Sequence, residues 1–204
     1  MGVPKAVVFD LGKVLLEFDF SIFARNLAKN ATLSAEAIVK EVVGSEILID
    51  YEYGRTTSQE FFQQVKAATG YQGDFRSFEP VFGAIFTEMT EMTALHGQLR
   101  AQKIPTYIFS NTNEIAIQIV REQYEFFQGF DDYIFSYEHQ AMKPESALYE
   151  VVEQRSALKG SDLVFIDDKP ENIHAAKERG WHGIVQQDSK HTQAGLRALG
   201  LPVD

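Results

Sequence analysis

The sequence predicts an α/β fold, a doubly wound, Rossmann-like parallel sheet with a small helical cap inserted after strand one, and three observations carry that prediction. Short apolar runs rich in β-branched and aromatic residues recur at Ala6–Phe9, Thr106–Phe109, Tyr133–Phe135, Leu163–Ile166 and Gly183–Val185. Runs of this kind suit strands buried on both faces. The stretches between the later runs carry apolar residues at helical spacing, so the strands alternate with helices and run parallel through right-handed crossovers. Residues 20–90, by contrast, show no strand alternation and read as a block of helices.

The first run ends abruptly in Asp10, followed by Leu11, Gly12 and Lys13. Open α/β sheets place ligands and chemistry at the carboxyl ends of their strands. A turn-capping role would also account for an Asp there when it is taken alone. In the helical block, Ile22, Phe23 and Leu27 have helical spacing, and breaks fall near 30–34, 53–58 and 70–74. Ser34 and Ser58 read as helix starts. Phe75, Phe78, Phe82 and Phe86 read as packing residues rather than a cofactor box. The expected division is therefore an α/β core of residues 1–16 and 90–204 with a helical cap of residues 17–89.

A helix over 91–102 leads into the second strand, which ends in Ser110, Asn111 and Thr112. A helix from Glu114 to Tyr124, the third strand and a loop reaching Lys143 and Pro144 come next. Residues 145–158 read as helix, the fourth strand ends in Asp167 and Asp168, and a helix from Glu171 is stopped by Gly180. The tail from Ser189 reads as a final helix.

At 204 residues the chain can form one substantial core with a smaller insertion. It has no cysteine, so thiol chemistry is excluded and a metal site must use oxygen or imidazole ligands. A formal net charge of −10 disfavours a nucleic-acid surface, which needs a basic patch to displace counterions. No leader pattern and no apolar run of membrane-span length is present, so a cytoplasmic protein with no membrane partner is expected. Oligomeric state is not legible.

Asp10, Ser110 with Asn111, and Asp167 with Asp168 thus end successive strands. Brought to one sheet edge, the carboxylates form a hard oxygen site suited to Mg²⁺, with the Gly12 carbonyl able to add an oxygen. Ser110 and neighbouring amides at a helix N-terminus could donate to phosphate. Lys143, on a Pro-stiffened loop, can neutralise phosphate charge and hold the Asp10 carboxylate. Each element is weak alone, since paired Asp residues often cap helices and Lys-Pro often marks a surface loop.

In order and spacing, FDLGKV at 9–14, FSNT at 109–112, MKPE at 142–145 and FIDDKPENI at 165–173 make the chain resemble the haloacid dehalogenase-like hydrolase superfamily from about residue 5 to 187. The DLG at the first motif, with GR and TTSQEF at 54–62, is most similar to the α-D-glucose-1-phosphate phosphatase type. The resemblance implies an Mg²⁺-dependent phosphatase acting on a small phosphorylated metabolite, a sugar phosphate foremost, through an aspartyl-phosphate. It implies Asp10 as nucleophile, Ser110 and Asn111 as phosphate-binding residues, and Lys143 as steadying both nucleophile and phosphate. Asp10, the Gly12 carbonyl and Asp168 would ligate Mg²⁺ directly and Asp167 through a water, with Asn172 orienting the acidic pair.

One position departs from that pattern. Phosphatases of the superfamily usually carry a second Asp two residues after the nucleophile, to protonate the leaving group; here Gly12 stands there. Such acid-base help is worth about 10²- to 10⁴-fold. Glu17 and Asp19 could substitute, or could be hinge and helix-start residues. Lys13 reads either as a solvated turn residue or as added charge for a phosphate cradle. A metal-independent haloacid dehalogenase and a catalytically weak binding or regulatory protein are the alternatives, the first disfavoured by the retained Asp167 and Asp168.

Overall fold

In the computed structural model, which describes residues 2–204, the five apolar runs form one parallel sheet. In chain order the elements are β1 (Ala6–Phe9), β2 (Leu16–Phe18), α1 (Phe20–Ala28), α2 (Ala35–Val42), α3 (Glu46–Glu52), α4 (Ser58–Thr69), α5 (Phe75–Gly83), β3 (Phe86–Glu88) and α6 (Thr90–Ala101). They continue through β4 (Thr106–Ser110), α7 (Glu114–Gln123), β5 (Asp132–Phe135), α8 (Ser136–His139), α9 (Ser146–Ser156), β6 (Leu163–Asp167), α10 (Pro170–Glu178), β7 (His182–Val185) and α11 (Ser189–Ala198).

The sheet order is β5-β4-β1-β6-β7, and every pairing in it is parallel. The chain fills one side of β1 with β4 and β5, then crosses to the other side for β6 and β7. This reversal opens a crevice at the carboxyl ends of β4, β1 and β6, three adjacent strands.

Burial on both faces explains why the strands read as unbroken apolar runs. Successive residues of a strand point to opposite faces. Val7, Phe9, Ile108, Val164 and Ile166 pack with Leu95, Leu99, Ile117, Val120 and Leu196 of α6, α7 and α11. Ala6, Val8, Phe109 and Phe165 pack with Leu148, Tyr149, Val152 and Ile173 of α9 and α10.

Helices α1–α5 are inserted after β1 and have a core of their own. Its centre is aromatic: Phe23, Phe61 and Phe78 surround Phe82, with ring centroids 5.4, 5.6 and 6.1 Å from it. Ile115 and Ala116 of α7 join this cluster, so the insertion packs directly on the α/β body.

One local expectation needs correction. Residues 86–88, read as part of the helical block, instead pair antiparallel with residues 16–18 as a ribbon, with Leu16 opposite Glu88 and Phe18 opposite Phe86. Strands of three residues are too short to show alternation, so the sequence carried no period for them. Helix α4 starts at Ser58, as expected, and Thr57 in front of it is the cap: Thr57 and Glu60 form a reciprocal capping box. All four phenylalanines pack as expected, Phe78 and Phe82 inside the core and Phe75 and Phe86 partly buried against it. Ser34 caps α2, and the tail forms α11 behind an Asp188 cap. No helix among the described residues is long and apolar enough to cross a membrane.

Candidate active site

Asp10 leaves the end of β1, the central strand, where its backbone amide still donates to the Ile166 carbonyl of β6 at 2.9 Å. The register therefore places the carboxylate beside the ends of both neighbouring strands. One oxygen of each of Asp10, Asp167 and Asp168 lies within 4.8 Å of the others.

Lys143 is the hub of this cluster. Its Nζ lies 2.9 Å from Asp10 Oδ1, 2.7 Å from Asp167 Oδ2 and 2.9 Å from the Phe109 carbonyl, so three oxygens meet its three hydrogens. Its side chain is 1% exposed. Burial works against the ammonium, but Asp10 and Asp167 outweigh it and hold Lys143 above its ordinary pKa. Asn111 fixes the loop that delivers Lys143: its side-chain amide donates to the Lys143 carbonyl at 3.0 Å and accepts from the Lys143 amide at 2.8 Å. The Asn111 side chain is thus committed to positioning Lys143.

The two acidic residues after β6 differ. Asp167, fully buried, accepts from Lys143, from the Lys169 amide at 2.8 Å and from Asn172 Nδ2 at 3.0 Å. Burial alone would raise its pKa, yet these partners, Lys143 first, pull it below the usual carboxylate range. Asp168 is only partly buried, and burial followed by repulsion from Asp167 raises it. Burial, reinforced by Asp167 and opposed by Lys143, also raises Asp10. Asn172 orients Asp167 rather than the pair.

Among the described residues Lys143 pairs with Asp10 and Asp167 and leaves Asp168 without a direct cationic partner, and the carboxylate donors are all hard oxygens. That composition fits a small divalent cation such as Mg²⁺. Ser110, 3% exposed at the end of β4, lines the same cavity as Asp10, Gly12, Asn111, Lys143 and Asp168. The amides at the start of α7 are largely engaged elsewhere. Thr112 donates to Ser136 Oγ at 2.9 Å, Ile115 to Tyr51 Oη at 3.0 Å and Ala116 to Asn113 Oδ1 at 3.0 Å. Anion binding by that helix N-terminus is therefore narrower than the sequence implied.

Gly12 is explained by its neighbour. A Cβ built there would lie 2.7 Å from the Phe18 ring, which fills the space an acidic side chain would need. Lys13 has φ +60°, a left-handed conformation costly for residues with a Cβ. Its ammonium sits 5.0 Å over the Phe18 ring and pairs with Glu17, while also lining the cavity over Asp10. Asp19 caps α1 by accepting from the Ser21 amide at 2.8 Å.

Sequence reasoning missed two charged groups. Glu52, the last residue of α3, closes an apolar cavity walled by Leu11, Leu16, Phe18, Phe82, Ile85 and Phe86 and bordered by Gly12, Ser110 and Asn111. Burial pushes its carboxyl up to about 7, with Lys169 the opposing charge. Lys169 itself stands at the rim of the Asp10 cavity. No local signal marks Glu52, because its burial comes from docking between distant elements; Lys169, following the Asp pair in FIDDKP, was visible but unassigned.

The chain is 26% identical over 200 residues to the sesquiterpene phosphatase astK of Aspergillus oryzae, an alignment covering 96% of each protein. It is 23% identical to the D-ribitol-5-phosphate phosphatase of Bacteroides thetaiotaomicron, covering 96% of this chain and 98% of that one. Its fold matches a HAD-family enzyme of Bacteroides thetaiotaomicron, solved with magnesium and inorganic phosphate, at a TM-score of 0.82 and 24% identity over 93% of this chain and 98% of the other. The haloacid dehalogenase-like hydrolase model matches residues 4–180, which span the insertion and all but the last strand and helix of the body, and the chain belongs to that hydrolase family.

Proposed function

We propose that the protein is an Mg²⁺-dependent phosphatase that cleaves a small phosphorylated metabolite through an aspartyl-phosphate on Asp10. The observation that carries this reading is the Asp10 carboxylate held at the carboxyl end of the central strand, 2.9 Å from Lys143 and clustered with Asp167 and Asp168. Two curated relatives named as phosphatases support it.

In this reading Asp10, the Gly12 carbonyl and Asp168 would hold the metal. Asp167, whose oxygens already serve Lys143, the Lys169 amide and Asn172, would act mainly by fixing them. The bound ion would neutralise charge on the phosphoryl group. Lys143 would hold the Asp10 carboxylate and offset phosphate charge, and the Ser110 hydroxyl and adjacent backbone would be the donors to phosphate. Residues 17–89 would serve as the cap that encloses substrate and excludes water.

The motif resemblance favours a sugar-1-phosphate. The cavity beside Asp10 favours a second reading, in which the alcohol is largely apolar. Its walls include Leu11, Leu16, Phe18, Phe82, Ile85 and Phe86, which offer a polyol few hydrogen-bond partners. Desolvated hydroxyls left without partners cost about 1–3 kcal/mol each. The relatives span both chemistries, one named for a sesquiterpene and one for a polyol phosphate.

Phosphate release from matched sugar, polyol and prenyl or alkyl phosphates, with Mg²⁺ and with chelator, tests the reading, and kcat/KM ranks the alcohols. Asp10→Asn, nearly isosteric, should abolish turnover while the protein still folds and binds inorganic phosphate. Turnover undiminished in chelator, or halide release without phosphate release, would refute the assignment.

A further inference from the structure

We propose that Glu52 supplies the general acid and base that the first motif lacks: its carboxyl protonates the departing alcohol oxygen and then takes a proton from the attacking water. The proposal rests on the phosphatase reading above and assigns a residue of the inserted helices to the chemistry.

The position next to the nucleophile where an acid would normally stand is closed, because the Phe18 ring occupies it. Glu17 is exposed and paired with Lys13, and Asp19 is spent as a helix cap. Glu52 remains. Gly12, Phe18, Ser110 and Asn111 wall both the cavity over Asp10 and the apolar cavity that Glu52 lines, so the two cavities adjoin and Glu52 belongs to the one next to the nucleophile. Among the described residues no hydrogen bond or ion pair from the protein satisfies the Glu52 carboxyl, and Lys169 acts on it only as a neighbouring charge. A carboxyl held near neutral pKa by burial is suited to proton transfer in either direction.

The backbone that carries it is anchored on the α/β body. The Ser136 hydroxyl, fully buried, donates to the Glu52 carbonyl at 2.6 Å and accepts from the Thr112 amide at 2.9 Å. One hydroxyl therefore ties Glu52 to the loop that carries Ser110 and Asn111. On either side, Tyr51 accepts from the Ile115 amide at 3.0 Å, Tyr53 bonds Glu145, and a Cβ at Gly54 would lie 2.0 Å from the Tyr137 carbonyl. Residues 51–54 are thus seated on the α/β body at four successive positions.

The step balances as follows. An Asp10 oxygen attacks phosphorus; the bond from phosphorus to the alcohol oxygen breaks, its electron pair stays on that oxygen, and the Glu52 proton joins it. Water then attacks the aspartyl-phosphate as the Glu52 carboxylate takes its proton. The bond from phosphorus to the Asp10 oxygen breaks, restoring both carboxyl groups and releasing inorganic phosphate.

The test compares p-nitrophenyl phosphate, whose leaving group needs no proton, with an unactivated alkyl phosphate such as hexyl phosphate. Glu52→Gln should lower kcat on the alkyl ester by about 10²-fold or more while p-nitrophenol release during the first turnover falls by less than about threefold. Inhibition by inorganic phosphate should be unchanged. In Glu52→Ala, formate should restore alkyl-ester turnover without affecting the first turnover of the aryl ester. Equal losses on both esters, weakened phosphate inhibition or failure of formate rescue would overturn the role of Glu52 and leave the phosphatase assignment standing. A native enzyme that released phosphate from neither these esters nor the sugar and prenyl esters would instead overturn that assignment, and this proposal with it.

Discussion

The floor and the roof of the cavity are built on opposite principles. The floor, at the ends of β1, β4 and β6, is a saturated network in which Lys143 and Asp167 are enclosed by partners and Asn111 and Asn172 serve as braces. The roof, from β2, the inserted helices and β3, meets the same space with aromatic and aliphatic side chains and the lone carboxyl of Glu52. In the proposed phosphatase reading, paired charges on strand ends would fix where phosphorus sits, and an apolar wall with one ionisable group would constrain which alcohol enters and how its oxygen leaves. The two halves would then divide reaction from selection, and substitutions in each should fail in different ways.

The largest effect should come from the hub of the floor. Lys143→Met keeps the length of the side chain but leaves Asp10 and Asp167 buried without their counter-charge. Breaking a buried pair in this way costs about 3–5 kcal/mol, so urea unfolding in chelator should show a large loss of stability. Turnover should fall by about 10²- to 10³-fold or more, because the carboxylate proposed as nucleophile loses its fixed donor. A variant of native stability would mean that the network is looser than its distances indicate.

A smaller and more selective effect is expected at the joint between the halves. Ser136→Ala leaves the Thr112 amide and the Glu52 carbonyl without their shared hydroxyl, a cost of about 1–3 kcal/mol. If the joint positions the roof carboxyl, kcat for alkyl phosphates should fall more than kcat for aryl phosphates. A uniform fall across esters would show that Ser136 matters only for packing, and the division between floor and roof would blur.

The floor was largely readable in the sequence and the roof was not, for a physical reason. Asp10, Ser110 and Asp167 each end a buried strand, so an apolar run broken by a polar residue marks them locally. Their meeting follows from the parallel order of the strands. Lys143 was placed by a motif, but its threefold coordination depends on Asn111 holding a loop 32 residues away. Nothing local distinguishes Glu52 from the other acidic residues of the helical block, and nothing local shows that the Phe18 ring fills the space beside Gly12. The three-residue strands of the ribbon are defined by pairing between segments about 70 residues apart in sequence. Long-range docking creates these features, and single-segment patterns do not encode it.

The smallest effect at neutral pH concerns a group remote from both carboxylate sites, and it asks whether floor and roof also differ in stability. His96 on α6 is 4% exposed, stacks on Phe130 at 3.8 Å and meets Thr106 Oγ1 of β4 at 3.1 Å. Burial, helped by Arg100 and opposed by Asp131, depresses its pKa to about 4 in the folded protein, against about 6.5 for the free side chain. Above pH 6.5 the imidazole is neutral in both states and contributes no pH dependence. Between 6.5 and 4 the unfolded chain takes up a proton that the folded chain refuses, so stability falls as pH falls, and below 4 this contribution levels off. His96→Gln should therefore flatten the slope of unfolding free energy across that window, whatever constant offset the lost stacking introduces. Trp181, the single tryptophan, is buried on the opposite face of the same sheet and reports unfolding of the body. Its fluorescence should follow the His96-dependent slope. If far-UV ellipticity follows the same slope, the inserted helices unfold with the body as one unit; if the two probes separate in acid, the roof is held by its own aromatic core and survives loss of the floor.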